Sequence, residues 1–543
     1  MTTAVLRPGR DFDEKVLLPA AGIIRRGGLV AFPTETVYGL GADATNEAAC
    51  RNIYAAKGRP SDNPLIVHIA DPADAEKLAV VPELYHKLAD AFMPGPLTVI
   101  MKKRGVIPDG VTGGLDTVAI RCPSDPIAHA LIKLSGVPIA APSANLSGKP
   151  STTSFEHVKS DLDGRVDMII DGGDCEIGLE STIVMLGDGG MTLLRPGAVT
   201  AEQLSLFGDV AIDPTVLKKA EDGAPPLAPG MKYRHYAPRA PLTAIECGDA
   251  SAAAAYIEKR REGRIAVLRC DEDAGAFAGY RVFTLGGRND SRTQAHRLFA
   301  ALRETDSERF DHIYAVTPDV SAGMKPALKN RLMKAAGYDA VKLSGFTVIG
   351  VTGRSGSGKS TFAAMLAEKL GNAAVVDCDA VNRDMLGNDA EYAALLVSEF
   401  GGGILTDGVP DRRKLGALVF SDPEKLKALN TLSHPRITAK TVKLTEDARK
   451  EGRRYAIIDA PLLFDTPLSL ICDVRITVEA DEKTAARRLS ERDGGVPYLK
   501  ARSEAQKRDF SLSDVTVENG GTLTELEAAA SVTAESIKKK YSY

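Results

Sequence analysis

FTVIGVTGRSGSGKSTF (Phe346–Phe362) is the stretch from which the rest of the chain is read. Its first half is an unbroken apolar run, as expected of a strand buried on both faces. Its second half, Gly353 to Ser360, fits G-x-x-x-x-G-K-[ST] and leads into TFAAMLAEKL, a helix-forming run. The glycines let successive N–H groups turn toward phosphate oxygens, and the helix adds its positive N-terminal end. Lys359 then reaches the β- and γ-phosphates and Ser360 ligates magnesium, while Gly353, Gly356, Ser357, Gly358 and Thr361 complete the nucleotide-binding set. Strand before and helix after argue against a chance Gly/Ser turn, so this part of the chain is expected to be a parallel-sheet P-loop fold that binds ATP or GTP.

Downstream, the run Ala373 to Val376 ends in Asp377-Cys378-Asp379, two carboxylates where open α/β sheets hold their ligands. Either can take the proton of an attacking hydroxyl or hold the metal, and a strand-end Asp can equally cap the next helix. YAIIDAPLLF sets Asp459 at the end of another buried strand, and Arg487, Arg488 and Arg492 recur at helical spacing in TAARRLSERD. Such arginines form either a solvated face or a lid over a triphosphate.

The ordered set TGRSGSGKS, VVDCDAVNR, GILTDGVPDRRKLGALVF, LNTLSHPRI, DAPLLF, CDVRITVEADEKTAARRLSERD, ARSEAQ and SDVTVENGGTL resembles dephospho-coenzyme A kinase over residues 347–543. The resemblance implies transfer of the γ-phosphoryl of ATP to the ribose 3'-hydroxyl of dephospho-CoA, in a fold of core, substrate-binding helices and lid. It implies Asp379 as base, with Asp377 second, and Arg383, His434 and Arg436 as groups that hold dephospho-CoA. Arg354-Ser355 departs from the family's usual Gly-Ile, in the variable part of the loop.

The amino-terminal part has no such loop. LVAFPTETVYGLGADA and IYAAKGRPSDNPLIVHIA interrupt apolar strands with Thr34, Glu35, Thr36 and Tyr38, then with Lys57, Arg59, Asn63 and His68. TVAIRCP ends a strand on Arg121, and PIAAPSANLSGKPS brings Ser143, Asn145, Ser147 and Ser151. GLESTIV adds Ser181 and LLRPGAV adds Arg195. Singly, each reads as a solvated turn or a satisfied core residue. In this order, with Lys57-Gly-Arg59 followed by Ser143-Ala-Asn145, they resemble the YrdC/TsaC-type threonylcarbamoyl-AMP synthases. PGMKYRHYAP (Pro229 to Pro238) and a small α/β region ending ALKNRLMKAA resemble that family's long form, so the match spans residues 10 to 343.

This resemblance implies that L-threonine, bicarbonate and ATP give threonylcarbamoyl-AMP and pyrophosphate, toward threonylcarbamoyladenosine in tRNA. Threonine N-carboxylate and the α-phosphorus of ATP both carry negative charge, so the reaction needs fixed cations and donors more than a base. By resemblance Lys57, Arg59, Ser143, Asn145, Ser151 and Arg195 face ATP, with Thr117 and Asn63 near it. Arg121, whose planar fork suits a carboxylate, grips threonine with Thr36, His68 and Ser181. His235 and Tyr236 cover the pocket as a gate. An alternative reading makes this half an RNA-binding module without catalysis, fused to an active kinase. Its hydroxyl and amide groups argue against that, because a phosphate-backbone binder needs only cations.

At 543 residues the chain exceeds one core, and 44% hydrophobic with 26% charged residues marks an ordinary globular protein. Residues 1–221 read as the YrdC-like α/β domain with a twisted sheet, 241–345 as a small Rossmann-like α/β domain and 346–543 as the kinase. Between them 222–240, with DGAPPLAPG at its start, reads as an exposed linker. A net charge of -4 offers no global attraction to nucleic acid, leaving tRNA an indirect partner with at most weak direct contact. Seven scattered cysteines give no metal knuckle or disulfide framework, and the absence of an 18-residue apolar run argues for a cytoplasmic protein that binds no membrane.

Overall fold

The computed structural model describes residues 2–9, 11–187, 190–219, 226–229, 236–318, 323–343, 345–420, 422–493 and 510–541. The chain forms two compact units, Met1–Thr200 with Thr215–Leu343, and Ala201–Pro214 with Ser344–Tyr543. Among the described residues no helix is long and apolar enough to cross a membrane.

In the first unit the interrupted apolar runs build a mixed sheet. Its order is Ala4–Leu6, Met168–Ile170, Val30–Phe32, Gly39–Asp43, Ile139–Ala140, Ile66–His68, Thr117–Arg121, Leu97–Lys102, Thr182–Gly187 and Gly190–Arg195. Ile66–His68 and Thr117–Arg121 run parallel with His68 opposite Arg121, so two predicted site residues leave the sheet side by side. A bridge between Gly39 and Ser143 brings the Thr34–Tyr38 loop beside the proline-rich turn. Helix Glu47–Lys57 ends at Gly58, whose φ of 62° is one that glycine tolerates, and this turn sets Lys57 and Arg59 at the helix's end.

The rest of this unit is a five-stranded parallel sheet in the order Arg281–Thr284, Ile265–Arg269, His312–Pro318, Leu242–Cys247, Ala340–Lys342. The expected helix between Ser291 and Glu304 is present over that span. Leu298, Phe299, Leu302, Leu328 and Leu332 share one core with Val37, Leu179 and Tyr236, so the two sheets of this unit are fused through apolar contact. Gly178, at φ +76°, permits the closest approach: a Cβ there would stand 2.5 Å from the backbone of His296.

The expectation of an exposed linker does not hold where it is described. Ala228 is fully buried and packs with Ile66, Ile100, Ala119, Ile183 and Leu194. Proline and glycine exclude helix and ladder from this segment, but they do not exclude burial of its apolar side chains.

The second unit has a wholly parallel sheet in the order Ala373–Asp377, Tyr455–Asp459, Thr347–Thr352, Val474–Glu479, Val515–Glu518. Thr347–Thr352, at its centre, is buried throughout, as its unbroken apolar run requires. Helices Lys359–Leu370 and Leu523–Tyr541 pack on it. Helix Ala201–Ser205 lies against helix Pro423–Lys450, which carries Pro435 in its interior.

Candidate active sites

The first unit holds a cleft of about 620 Å³. Of the predicted residues, Arg59, His68, Arg121, Ser143, Asn145, Ser151, Ser181, Arg195 and Tyr236 line it, together with Glu180, which the sequence did not single out. Lys57, Asn63, Thr36 and Thr117 do not. Lys57 stands just behind the wall: its buried Nζ donates to the carbonyl oxygens of Ser143 and Asn145 and so holds the turn that carries both side chains. Burial, then the neighbouring Arg59, press its pKa well below the usual lysine value. Thr36 is fully buried and its hydroxyl lies 2.8 Å from that of Thr34, which does line the cleft. Asn63 is buried with Oδ1 unpartnered, and its carbonyl accepts from Arg59. Thr117 begins the strand that Arg121 ends, a full strand length from the cleft.

Arg121 is the sharpest feature. Its Nη2 stands 2.7 Å from Glu35 Oε1, yet the alignment makes no hydrogen bond. Nε and Nη2 of Arg121 and both oxygens of Glu35 are buried without a hydrogen-bond partner. Orphaned donors of a planar fork are expensive to bury unless a ligand completes them. His68, beside it, is pushed down to about 3 by burial and then by Arg121, and is therefore a neutral ring whose Nδ1 faces the Ile66 and Ile139 carbonyls.

A second cluster in the cleft centres on Arg195 and Glu180. Arg195 donates to Ser181 through Nε and Nη2 at 3.0 and 3.1 Å, and through Nη1 to the Pro229 carbonyl at 3.3 Å. Ser181 also meets Thr98 at 2.7 Å. Ser151 donates to Glu180 Oε1 at 2.6 Å, and Arg331 donates to Oε2 at 2.8 Å. Burial alone would raise Glu180, but Arg331 and then Arg195 hold it at about 2. Tyr236, at φ 64°, lies with its ring 5.0 Å from that of Phe299. His235 lies outside the described residues.

In the second unit Gly353, Gly356 and Gly358 all have positive φ, and a Cβ on Gly356 would meet the Ala485 carbonyl at 2.5 Å. The loop is pinned by a residue missed from sequence: Asn519 Nδ2 donates to the Ser357 carbonyl at 2.7 Å, and Arg488 donates to the Asn519 carbonyl at 3.0 Å. Arg488 thus braces the loop from the side. Arg487 pairs with Glu491 in solvent, and the side chain of Arg492 lies outside the described residues. Ser360 and Thr361 are exposed at the start of helix Lys359–Leu370, and Ser357 Oγ is buried without a partner.

Asp377 pairs in register with Asp459 on the neighbouring strand. Its Oδ1 caps helix Cys378–Asn388 by accepting from the N–H groups of Asp379 and Ala380 at 2.8 and 3.1 Å. Asp459 is raised by burial, against the pull of Lys359 and a hydrogen bond with Ser360, and its Oδ1 has no hydrogen-bond partner. Arg383 lies 3.7 Å from Asp377 and is half exposed. Arg436 lies 3.7 Å from Glu391. His434 is engaged elsewhere, its Nδ1 2.8 Å from Asp209. No sequence signal pointed to Asp209, which is distant in the chain.

Comparison with known proteins matches three successive stretches of the chain. Residues 22–197 match the Sua5/YciO/YrdC family model, described as telomere recombination. Residues 199–337 match the threonylcarbamoyl-AMP synthase C-terminal domain, and residues 347–525 match dephospho-CoA kinase. A threonylcarbamoyl-AMP synthase of Bacillus subtilis is 48% identical over 336 residues, 61% of this chain and 95% of the relative. A dephospho-CoA kinase of Thermobifida fusca is 35% identical over 198 residues, 35% of this chain and 96% of the relative. The crystal structure of Pyrococcus abyssi Sua5 complexed with L-threonine superposes with a TM-score of 0.58 at 44% identity, covering 63% of this chain and 99% of that one.

Proposed function

The chain belongs to two enzyme families, the threonylcarbamoyl-AMP synthases and the dephospho-CoA kinases, and from that premise we propose how each of its clefts works. It is a bifunctional transferase that makes threonylcarbamoyl-AMP with its first unit and phosphorylates dephospho-CoA with its second.

In the first unit the fork of Arg121 takes threonine's carboxylate, a reading supported by its buried Nε and Nη2, which make no hydrogen bond although Glu35 stands beside them. Beside it the neutral His68 adds no charge to the subsite, and bicarbonate supplies the carboxyl group taken up by threonine's amine, with loss of water. Arg59, Arg195, Ser143, Asn145 and Ser151, which line the same cleft, draw in the triphosphate. Carbamate oxygen attacks the α-phosphorus, the α–β phosphoanhydride bond breaks, and pyrophosphate leaves with the charge that the arginines neutralise. Lys57 acts behind the wall by fixing the Ser143–Asn145 turn. Pyrophosphate release that requires threonine and bicarbonate together tests this; release independent of either overturns it.

In the second unit the glycine loop and Lys359 cradle ATP, and Asp379 takes the proton from the attacking hydroxyl. Asp377 is the weaker candidate because its Oδ1 is already committed to two backbone N–H groups as the cap of helix Cys378–Asn388. Ser360 and the unpartnered oxygen of Asp459 form a hard-oxygen donor pair that fits magnesium. Bound there, the ion would neutralise charge on the β- and γ-phosphates. Arg383 and Arg436 stand at the acceptor side, while His434 acts by joining helix Pro423–Lys450 to Asp209. Phosphoryl transfer to dephospho-CoA in preference to uridine tests this assignment.

A further inference from the structure

The adenylate-forming cleft contains a carboxylate that its chemistry does not ask for. Glu180 lines a pocket meant for a polyanion, next to Arg195. Left alone it would repel the triphosphate or claim the guanidinium that should meet it. It is not left alone. Arg331, fully buried on helix Lys325–Ala335 of the parallel-sheet part, donates Nε to Glu180 Oε2 at 2.8 Å and leans Nη2 toward the Glu180 carbonyl at 3.5 Å. Glu180 turns its other oxygen to Ser151 at 2.6 Å and also bonds Tyr236. The guanidinium of Arg331 lies 5.9 Å from the centre of the Tyr236 ring. From helix Ser291–Glu304, Arg303 donates to the carbonyl of Pro150, the neighbour of Ser151, at 2.6 Å and to the buried Asp161 at 2.8 Å.

We propose that Arg331 is a positioning residue of the synthase site: by neutralising Glu180 it aims Ser151 and Tyr236 and leaves Arg195 for the triphosphate. The parallel-sheet part therefore supports the cleft from behind the residues that line it. This rests on the synthase reading above. A merely structural staple would lower the amount of active protein, and so kcat, at unchanged KM. A positioning pair moves the KM for ATP and spares the KM for threonine, because Arg331 and Glu180 hydrogen-bond each other, Ser151 and Tyr236 and not Arg121, Glu35 or His68.

The experiment uses the full chain and four proteins: wild type, Arg331→Gln, Arg331→Lys and the doubly neutral Glu180→Gln/Arg331→Met. Pyrophosphate release dependent on threonine and bicarbonate gives KM for each substrate, and dephospho-CoA phosphorylation in the same sample reports intact second unit. We expect Arg331→Gln to raise the KM for ATP about tenfold with less than about twofold change for threonine. Arg331→Lys, which keeps the charge without the fork, should be intermediate, and the double variant should return to within about threefold of wild type. An unchanged KM for ATP in Arg331→Gln overturns the proposal, as does a double variant no better than the single one. If Arg331→Gln does not fold, the double variant decides: a KM for ATP within about threefold of wild type supports the pair, and a larger rise overturns it. Wild type that releases no pyrophosphate would sink the synthase reading instead.

Discussion

Arg121 shows how a single side chain can be read from sequence and completed only in three dimensions. Its place at the end of TVAIR was visible in the chain, and so was the fit of its fork to a carboxylate. Glu35, buried beside it, was visible only as one polar letter among several, because proximity across strands leaves no trace in linear order. Replacing Arg121 by Lys keeps the charge and removes the fork, so the KM for threonine should rise at least about tenfold with that for ATP little changed, as initial rates of pyrophosphate release would show. His68 gives a prediction of another kind. Its folded value of about 3 lies below the free imidazole's 6.5, so unfolding takes up a proton between those pH values. Its contribution is complete above pH 6.5 and fades as pH falls toward 3, a loss on the order of 2 kcal/mol by pH 5. His68→Gln should therefore lose less stability than wild type between pH 7 and pH 5, measured as exchange protection of strand Ile66–His68.

Among elements, the phosphate loop was the most legible because its mechanism is local: strand, glycines, lysine and helix follow one another without a gap. What the sequence could not supply was the brace, since Asn519 and Arg488 reach the loop from elements more than a hundred residues away. Asn519→Ala removes the bond to the Ser357 carbonyl and should lower the kcat/KM of the kinase about tenfold, with pyrophosphate release unchanged. Gly356→Ala should be worse. A Cβ there meets a backbone carbonyl at 2.5 Å, and φ is +82°, so loop and neighbouring helix cannot both keep their places. Loss of at least about 100-fold in dephospho-CoA phosphorylation is expected. The linker was misjudged for a complementary reason: Pro and Gly report backbone geometry, whereas the burial of Ala228 depends on what packs around it.

For the whole molecule, two phosphate-binding designs coexist on one chain. One is a glycine loop that wraps phosphates in backbone amides, and the other is a cleft of side-chain cations. Lys359→Ala should abolish CoA formation alone and Arg59→Ala threonylcarbamoyl-AMP formation alone, each assayed on the same purified protein. Loss of both reactions from one folded variant would show that the sites are coupled. Order along the chain made both families recognisable, because each motif set follows its own sequence without interruption.

Ala201–Pro214 belongs to the unit that otherwise begins after residue 343, while the stretches on either side of it belong to the other. The two compact units are thus interleaved in the polypeptide, while Ala201–Pro214 also falls within residues 199–337, which match the synthase C-terminal domain. A protease nick between residues 343 and 347, or a gene split there, would strand Asp209 on one fragment and His434 on the other, so the halves would have to find each other again before that contact could re-form.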